Sequence, residues 1–280
     1  MRVISTDIIT ENIKEMCIEA NYMLSEDVKG RILKAVKDES NELGKKILSQ
    51  LEENMVIAEN ENIPICQDTG MAVVFLKIGQ EVHFEGSSLE DAVNEGIRQG
   101  YTEGYLRKSV VGDPLIRKNT GDNTPGVIHY EIVPGDKVEI TVAPKGFGSE
   151  NMSRVCMLKP ADGIEGVKAA VLETVKLAGP NACPPLVIGV GIGGTFEKCA
   201  LLAKKALTRD INSHNSIEYV KDLEIELLEE INKLDIGPAG LGGQTTALGI
   251  NIETYPTHIA GLPVAINMCC HVNRHKNRTI

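Results

Sequence analysis

The run MAVVFLKIG at residues 71–79 separates two kinds of sequence pattern. It is short, apolar and rich in β-branched and aromatic residues, which predicts a strand. Upstream, the apolar spacing is helical. Ile8, Ile9, Ile13, Met16, Cys17, Ala20, Met23 and Leu24 fall on one stripe, with Ser5 or Thr6 available as N-cap. Ser25 is placed to cap a second helix, whose Glu26 and Asp27 favour its positive end and whose Val28, Ile32, Leu33 and Val36 form the apolar face. A third helix follows through Leu43, Ile47, Leu48, Leu51 and Met55. Downstream, Ser87 or Ser88 caps a helix bearing Leu89, Val93 and Ile97. GVIHYEIVPGDKVEITVAP at 126–144 predicts a hairpin turning at Pro134, Gly135 and Asp136. Helical patterns near 162–178, 195–208 and 217–233 then alternate with the apolar runs LVIGVGIG at 186–193 and LPVAINM at 262–268. The expectation is a mixed α/β (α+β) chain forming one domain over 1–280, with a helical section to about residue 60 and then a sheet region flanked by helices. GPAGLGG at 237–243 fits a hinge or a functional loop. A loop within one domain is preferred, because apolar sequence resumes at Ala247 and too little chain follows to build another core.

With 42% hydrophobic and 24% charged residues among 280, the chain can bury a substantial core. That core must be aliphatic, since there is no Trp and only four Phe. A net charge of -10 opposes broad nucleic-acid or anionic-membrane surfaces, while leaving room for a small anionic substrate at a local cationic cluster. No stretch approaches the roughly 20 apolar residues of a membrane span, and the N-terminus lacks a signal-peptide core, so a cytoplasmic protein is expected. Seven cysteines, an odd number without a compact framework, predict thiols or metal ligands rather than disulfides.

PICQDTG at 64–70 carries the most chemistry. Pro64 disfavours helix at Ile63 and Gly70 permits a sharp turn, so Cys66, Gln67 and Asp68 lie on an irregular connection: either a polar turn with an incidental cysteine, or a ligand or nucleophile. In GPNACPPL at 179–186 the flanking prolines are expected to hold the chain extended around Cys183. Cys17 and Cys199 fall on helical stripes and read as small core residues, and Cys156 reads as structural. In MCCHVNRHK at 268–276, Cys269 and Cys270 point to opposite sides of an extended chain, so one metal takes one of them. The absence of any CxxC pair disfavours zinc ribbons and ordinary ferredoxins. GVGIGG at 189–194 has dinucleotide-site spacing, but RDINSHNS and another helix follow it. No β-rich run is seen to complete a βαβ unit, so these glycines are read as a tight strand-to-helix turn.

Together PICQDTG, KGFGSEN at 145–151, ACPP at 182–185, GGQTTALG at 242–249, PTHIAGLPVAIN at 256–267 and CHVNRH at 270–275 resemble the alpha subunit of class I fumarate hydratases and of the related L(+)-tartrate dehydratases. The resemblance spans essentially the whole chain, with the segments in order. It implies a [4Fe-4S] cluster held by Cys66, Cys183 and Cys270, with one iron left open for substrate, and Cys269 as a neighbour only. It further implies substrate contacts from Gln67, Arg107 in YLRKS, and the amides of Gly146 and Gly148, with Asp68 and His258 in catalytic roles. Phe147 stands where many relatives have glycine, which leaves open which amide makes the contact. The implied reaction is reversible hydration of fumarate to (S)-malate, with dehydration of L(+)-tartrate and a non-catalytic cluster- or zinc-binding module as alternatives. Because the chain stops at Ile280, the resemblance implies a beta subunit, in an α2β2 assembly, that supplies the proton-transfer group and further cations.

Overall fold

The computed structural model describes residues 1–280. In chain order its elements are β1 (Arg2–Ser5), α1 (Thr6–Tyr22), α2 (Glu26–Asp38), α3 (Glu42–Glu61), β2 (Met71–Gly79), β3 (Val82–Glu85), α4 (Leu89–Glu103), β4 (Val127–Val133), β5 (Val138–Lys145), α5 (Phe147–Glu150), β6 (Arg154–Leu158), α6 (Gly163–Ala178), β7 (Leu186–Gly193), α7 (Phe196–Ala206), α8 (Glu218–Asn232), β8 (Ala247–Tyr255), β9 (Leu262–Cys269) and β10 (Lys276–Thr279). The fold is mixed α/β, with helical and strand segments where the periodicities place them. Contacts divide it into two compact units. The first comprises Met1–Ser25, Met55–Phe147 and Arg274–Ile280, and the second Glu26–Asn54 and Gly148–Asn273. The glycine-rich 237–243 stretch therefore lies inside the second unit.

In the first unit a sheet of order β10-β5-β2-β4 is covered by α1 and α4, and β1 pairs with β3 alongside. Ile9, Ile13, Met16 and Cys17 of α1, Val93, Ile97 and Tyr101 of α4, and Val74, Leu76, Ile140 and Val142 of the sheet form its aliphatic core. Each fully buried aliphatic side chain there stabilises the fold by about 1.5–3 kcal/mol. The caps form as expected on α1, where Ser5 accepts the Asp7 N–H, and on α4, where Ser88 accepts the Asp91 N–H. Ser25 differs: its buried hydroxyl makes no hydrogen bond, so it does not cap α2.

The expected hairpin at 126–144 is not one. β4 and β5 do not pair with each other; both flank β2, parallel and antiparallel to it respectively. The Pro134–Asp136 turn passes over the end of β2 instead, accepting the Gly79 and Glu81 amides at Lys137 and Gly135. Burial is the physical reason. Ala72, Val74, Leu76 and Ile78 are buried on the face of β2 that joins the core, whereas β4 has no buried residue, so β2 takes the sheet interior and β4 its edge.

The second unit is built on a sheet of order β6-β9-β7-β8. The period of LVIGVGIG sets its layers. Ile188 and Val190 join Val171, Val175, Leu223, Leu227 and Ile231 from α6 and α8 in one core. The alternate residues, Gly189 and Gly191, face α7: a β-carbon on Gly189 would lie 2.1 Å from the Ala203 carbonyl, and one on Gly191 2.1 Å from that of Cys199. These glycines exist because a helix backbone rests directly on the strand. Gly193 and Gly194, both at positive φ, make the tight strand-to-helix turn that the sequence predicts. A parallel partner for β7 does exist, contrary to expectation: β8 pairs with it from Leu186↔Ala247 to Gly193↔Tyr255. It arrives after two helices rather than one, which is why the run following α7 does not reveal it.

Candidate active site

In the first unit the 64–70 loop lies between α3 and β2. Buried Ile65 anchors it, donating its N–H to the Asn21 carbonyl at 3.0 Å. Cys66 is half-buried, and its Sγ accepts the Asp68 N–H at 3.4 Å. The half-buried Asp68 carboxylate is held from two sides: Gly70 N–H donates to Oδ1 at 3.1 Å and Phe147 N–H to Oδ2 at 2.9 Å. Of the three amides at 146–148, that of Phe147 is therefore engaged. Gly146 leaves room for this approach, since a β-carbon there would stand 3.1 Å from Asp68 Oδ2.

The loop is tied down from below by residues that sequence reasoning passed over. Buried Tyr101 donates its hydroxyl to the Thr69 and Gly70 carbonyls at 2.8 and 3.0 Å. Burial pushes this phenol far above its ordinary range, so it remains a donor. Asn123 reaches the Gly70 carbonyl at 3.2 Å while accepting the amides of Ser109 and Val110. Thr69 donates to the Arg107 carbonyl at 2.9 Å, which ties the backbone of the exposed Arg107, four residues beyond α4, to this loop. Buried Arg274 donates to the Asp68 and Pro144 carbonyls. The available signals were the NTGDNTP stretch around Asn123, the CHVNRH motif around Arg274, and a lone aromatic on the buried face of α4.

In the second unit Cys183 ends a short 3₁₀ turn, Gly179–Ala182, in the left-handed region at φ 55° and ψ 62°. The expected extended backbone is thus absent. The Cys183 N–H turns back to the Pro180 carbonyl at 3.0 Å, and the exposed thiol stands on strained backbone of the kind found at functional sites. The 237–243 loop packs against this turn: Ala239 N–H donates to the Pro184 carbonyl, and Gly240 permits contact with Pro180. Cys270 directly follows β9 and is half-buried, whereas Cys269, the last strand residue, is buried. His271 Nδ1 lies 3.3 Å from the Cys183 carbonyl, so the Cys183 and Cys270 segments are neighbours.

His258 is elsewhere. It sits on the exposed turn between β8 and β9, whose Thr257 donates to the Gly194 carbonyl at 2.8 Å. Its Nδ1 accepts the Ala260 N–H at 3.1 Å, which leaves Nε2 as the donor of the neutral ring. β9 runs antiparallel to β7, with Val187 opposite Cys269, while Gly193 is opposite Tyr255 of β8. Cys183 and Cys270 therefore lie at one end of β7 and His258 beyond the other, about 20 Å apart at the usual strand rise.

The donor chemistry suits an iron-sulfur cluster. Cys66, Cys183 and Cys270 lie on loops and are not fully buried, and the Cys66 sulfur already accepts an N–H, as cluster thiolates do. By contrast Cys17 and Cys199 are wholly buried in helices, as expected. Burial pushes the Cys17 thiol up to about 12; it stays neutral, a contribution to stability that is complete below its ordinary range and lost as pH rises toward 12. No three His, Cys, Asp or Glu side chains are gathered around a single-ion site. No helix is long and apolar enough to cross a membrane.

The fumarate hydratase (Fumerase) family model matches residues 10–279. A Methanocaldococcus jannaschii protein named "Putative L(+)-tartrate dehydratase subunit alpha" is 44% identical over 97% of each chain. The L(+)-tartrate dehydratase subunit alpha of Escherichia coli K12 is 33% identical over 95% of this chain and 88% of its own length. With the match running through every loop described above, the chain belongs to the fumarate hydratase family of hydro-lyases, which includes the L(+)-tartrate dehydratase alpha subunits.

Proposed function

We propose that this chain is the alpha subunit of a two-subunit [4Fe-4S] hydro-lyase acting on a four-carbon dicarboxylate, with reversible hydration of fumarate to (S)-malate as its reaction. The observation that carries this reading is the Asp68 carboxylate, immobilised between the Gly70 and Phe147 amides, two residues from Cys66 and on a loop bonded to the Arg107 segment. Cys66, Cys183 and Cys270 are the residues that would hold the cluster, which when bound supplies a Lewis acid at the iron lacking a thiolate.

The chain's own groups do the rest of the alpha-side work. Each Asp68 oxygen has one N–H donor and a lone pair to spare, so the carboxylate accepts a hydrogen bond from the substrate hydroxyl or from water, and orients it. The Arg107 guanidinium clamps a substrate carboxylate in bidentate fashion, assisted by the Gln67 amide. Gly146 and Gly148 are the remaining amide donors of their loop, since Phe147 serves Asp68. His258, a strand length from its own Cys183 and Cys270, serves the site of a neighbouring alpha chain in an α2β2 assembly, offering its Nε2–H. The group that moves the proton at carbon, and the cation for the second carboxylate, come from the beta subunit.

A second reading, elimination of water from L(+)-tartrate to give oxaloacetate, is favoured by the names of the relatives. One experiment decides between them. The chain is purified anaerobically alone and with its beta subunit, loaded with cluster, and assayed on both substrates. Fumarate turnover by the pair and none by the chain alone is the expected result. Preference for tartrate selects the second reading, and a loaded pair inert toward both overturns the hydro-lyase assignment.

A further inference from the structure

Arg274 is only 4% exposed, and both of its hydrogen bonds go to main-chain carbonyls: Nε to Pro144 at 3.3 Å, and Nη2 to Asp68. Its Nη1 is inaccessible and makes no hydrogen bond. Burying a guanidinium in this way is costly, and a buried donor left unmatched adds to the cost, so the arrangement calls for an explanation. Inaccessibility excludes direct contact with substrate. What the side chain does instead is bridge two segments that the Asp68 carboxylate also bridges. The guanidinium joins the Asp68 carbonyl to the Pro144 carbonyl; the Asp68 carboxylate joins the amides of Gly70 and Phe147. The result is a closed ring, Arg274 to Asp68 to Phe147 and back through Pro144 to Arg274. Gly146 lies over it, where a β-carbon would stand 3.1 Å from Asp68 Oδ2 and 3.9 Å from Arg274 Nη2. The guanidinium serves the two carbonyls from separate nitrogens held in one plane, whereas the three donors of a lysine all leave a single nitrogen on a flexible stem.

We propose that Arg274 is a positioning residue, which fixes the direction of the Asp68 carboxylate by locking the 66–70 loop to the 144–147 segment. This rests on the reading that Asp68 faces the substrate. The test uses the co-expressed alpha–beta assembly carrying Arg274→Lys, which keeps the charge and loses the fork. Hydrogen exchange at the Gly70 and Phe147 amides is expected to accelerate by at least about tenfold, with the β2 amides of Val74 and Leu76 unchanged. In parallel kcat falls with KM nearly constant, and Asp68→Asn/Arg274→Lys is no slower than Asp68→Asn alone, since both act through one group. Should the lysine variant fail to fold, Gly146→Ala, which presses on the same ring without disturbing a buried charge, is expected to give the same exchange pattern. Unchanged exchange at Gly70 and Phe147, or losses that multiply in the double variant, would overturn the proposal. If the wild-type assembly turns over neither fumarate nor tartrate, the functional reading fails on its own, and the exchange measurement still reports on the clamp.

Discussion

The two ends of the β6-β9-β7-β8 sheet hold different groups by different means. Where β7 begins, Cys183 stands on left-handed backbone braced by prolines and by the 237–243 loop, and Cys270 follows β9 beside it. Where β7 ends, His258 lies on an exposed turn held by Thr257, with its ring oriented by a single main-chain amide. The first end presents two neighbouring cysteines, Cys183 on strained, well-braced backbone; the second presents one polar donor outward. The sheet between them acts as a spacer, because hydrogen-bonded strands keep their rise. No loop movement brings His258 to the thiols of its own chain across about 20 Å.

Three experiments break or sharpen this contrast. The largest effect is expected at the thiol end. Cys66→Ser, Cys183→Ser and Cys270→Ser should each abolish the visible absorbance of a reconstituted cluster, while Cys269→Ser, buried in β9, retains it. If Cys269 proves essential and Cys270 dispensable, the assignment at this end is wrong by one residue. Next comes the histidine end. His258→Ala should lower kcat by about 100-fold or more in the alpha–beta assembly, the lower range for loss of an acid–base or donor group. Mixed with Cys183→Ser chains and reassembled, it should recover about a quarter of wild-type activity, because half the dimers are hybrids and each hybrid has one intact composite site. Recovery of nothing would mean that both ends act within one chain. The smallest effect concerns the spacer. Gly191→Ala drives a methyl group to 2.1 Å from the Cys199 carbonyl and should cost about 3 kcal/mol, read as a lower denaturant midpoint. An unchanged midpoint would show that α7 can lift from β7.

Much of the fold was legible because its signals are local. The stripes of α1 and α4, the capping serines Ser5 and Ser88, and the runs of β2 and β7 follow from the 3.6- and 2-residue periods. Of the strands that escaped notice, β1, β3, β6 and β10 have only four or five residues, too few to establish a period, whereas β8, nine residues long, was read only as apolar sequence resuming at Ala247. The false hairpin is instructive. Two alternating runs around Pro-Gly-Asp specify a reversal of direction, but not that the reversed strands are neighbours; β2 takes the place between them because its core face is buried, while β4, with no buried residue, takes the edge.

The candidate site divides along the same line. The residues proposed to bear the chemistry, Cys66, Gln67, Asp68, Arg107, Cys183, His258 and Cys270, were picked out by the resemblance of their segments, in order, to those of the family; loop context alone marked Cys66 and Cys183, and nothing local marked Arg107 or His258. By itself the sequence determined the residue types, the loops that carry them and, through the period of LVIGVGIG, which face of a strand could accept a helix. Only tertiary structure decided that Asp68 is clamped by Phe147 and Arg274, far from it along the chain, and that His258 and Cys270 lie at opposite ends of one strand. Periodicity and turn chemistry act over a few residues, whereas hydrogen-bond closure and strand order depend on which distant segments pack together.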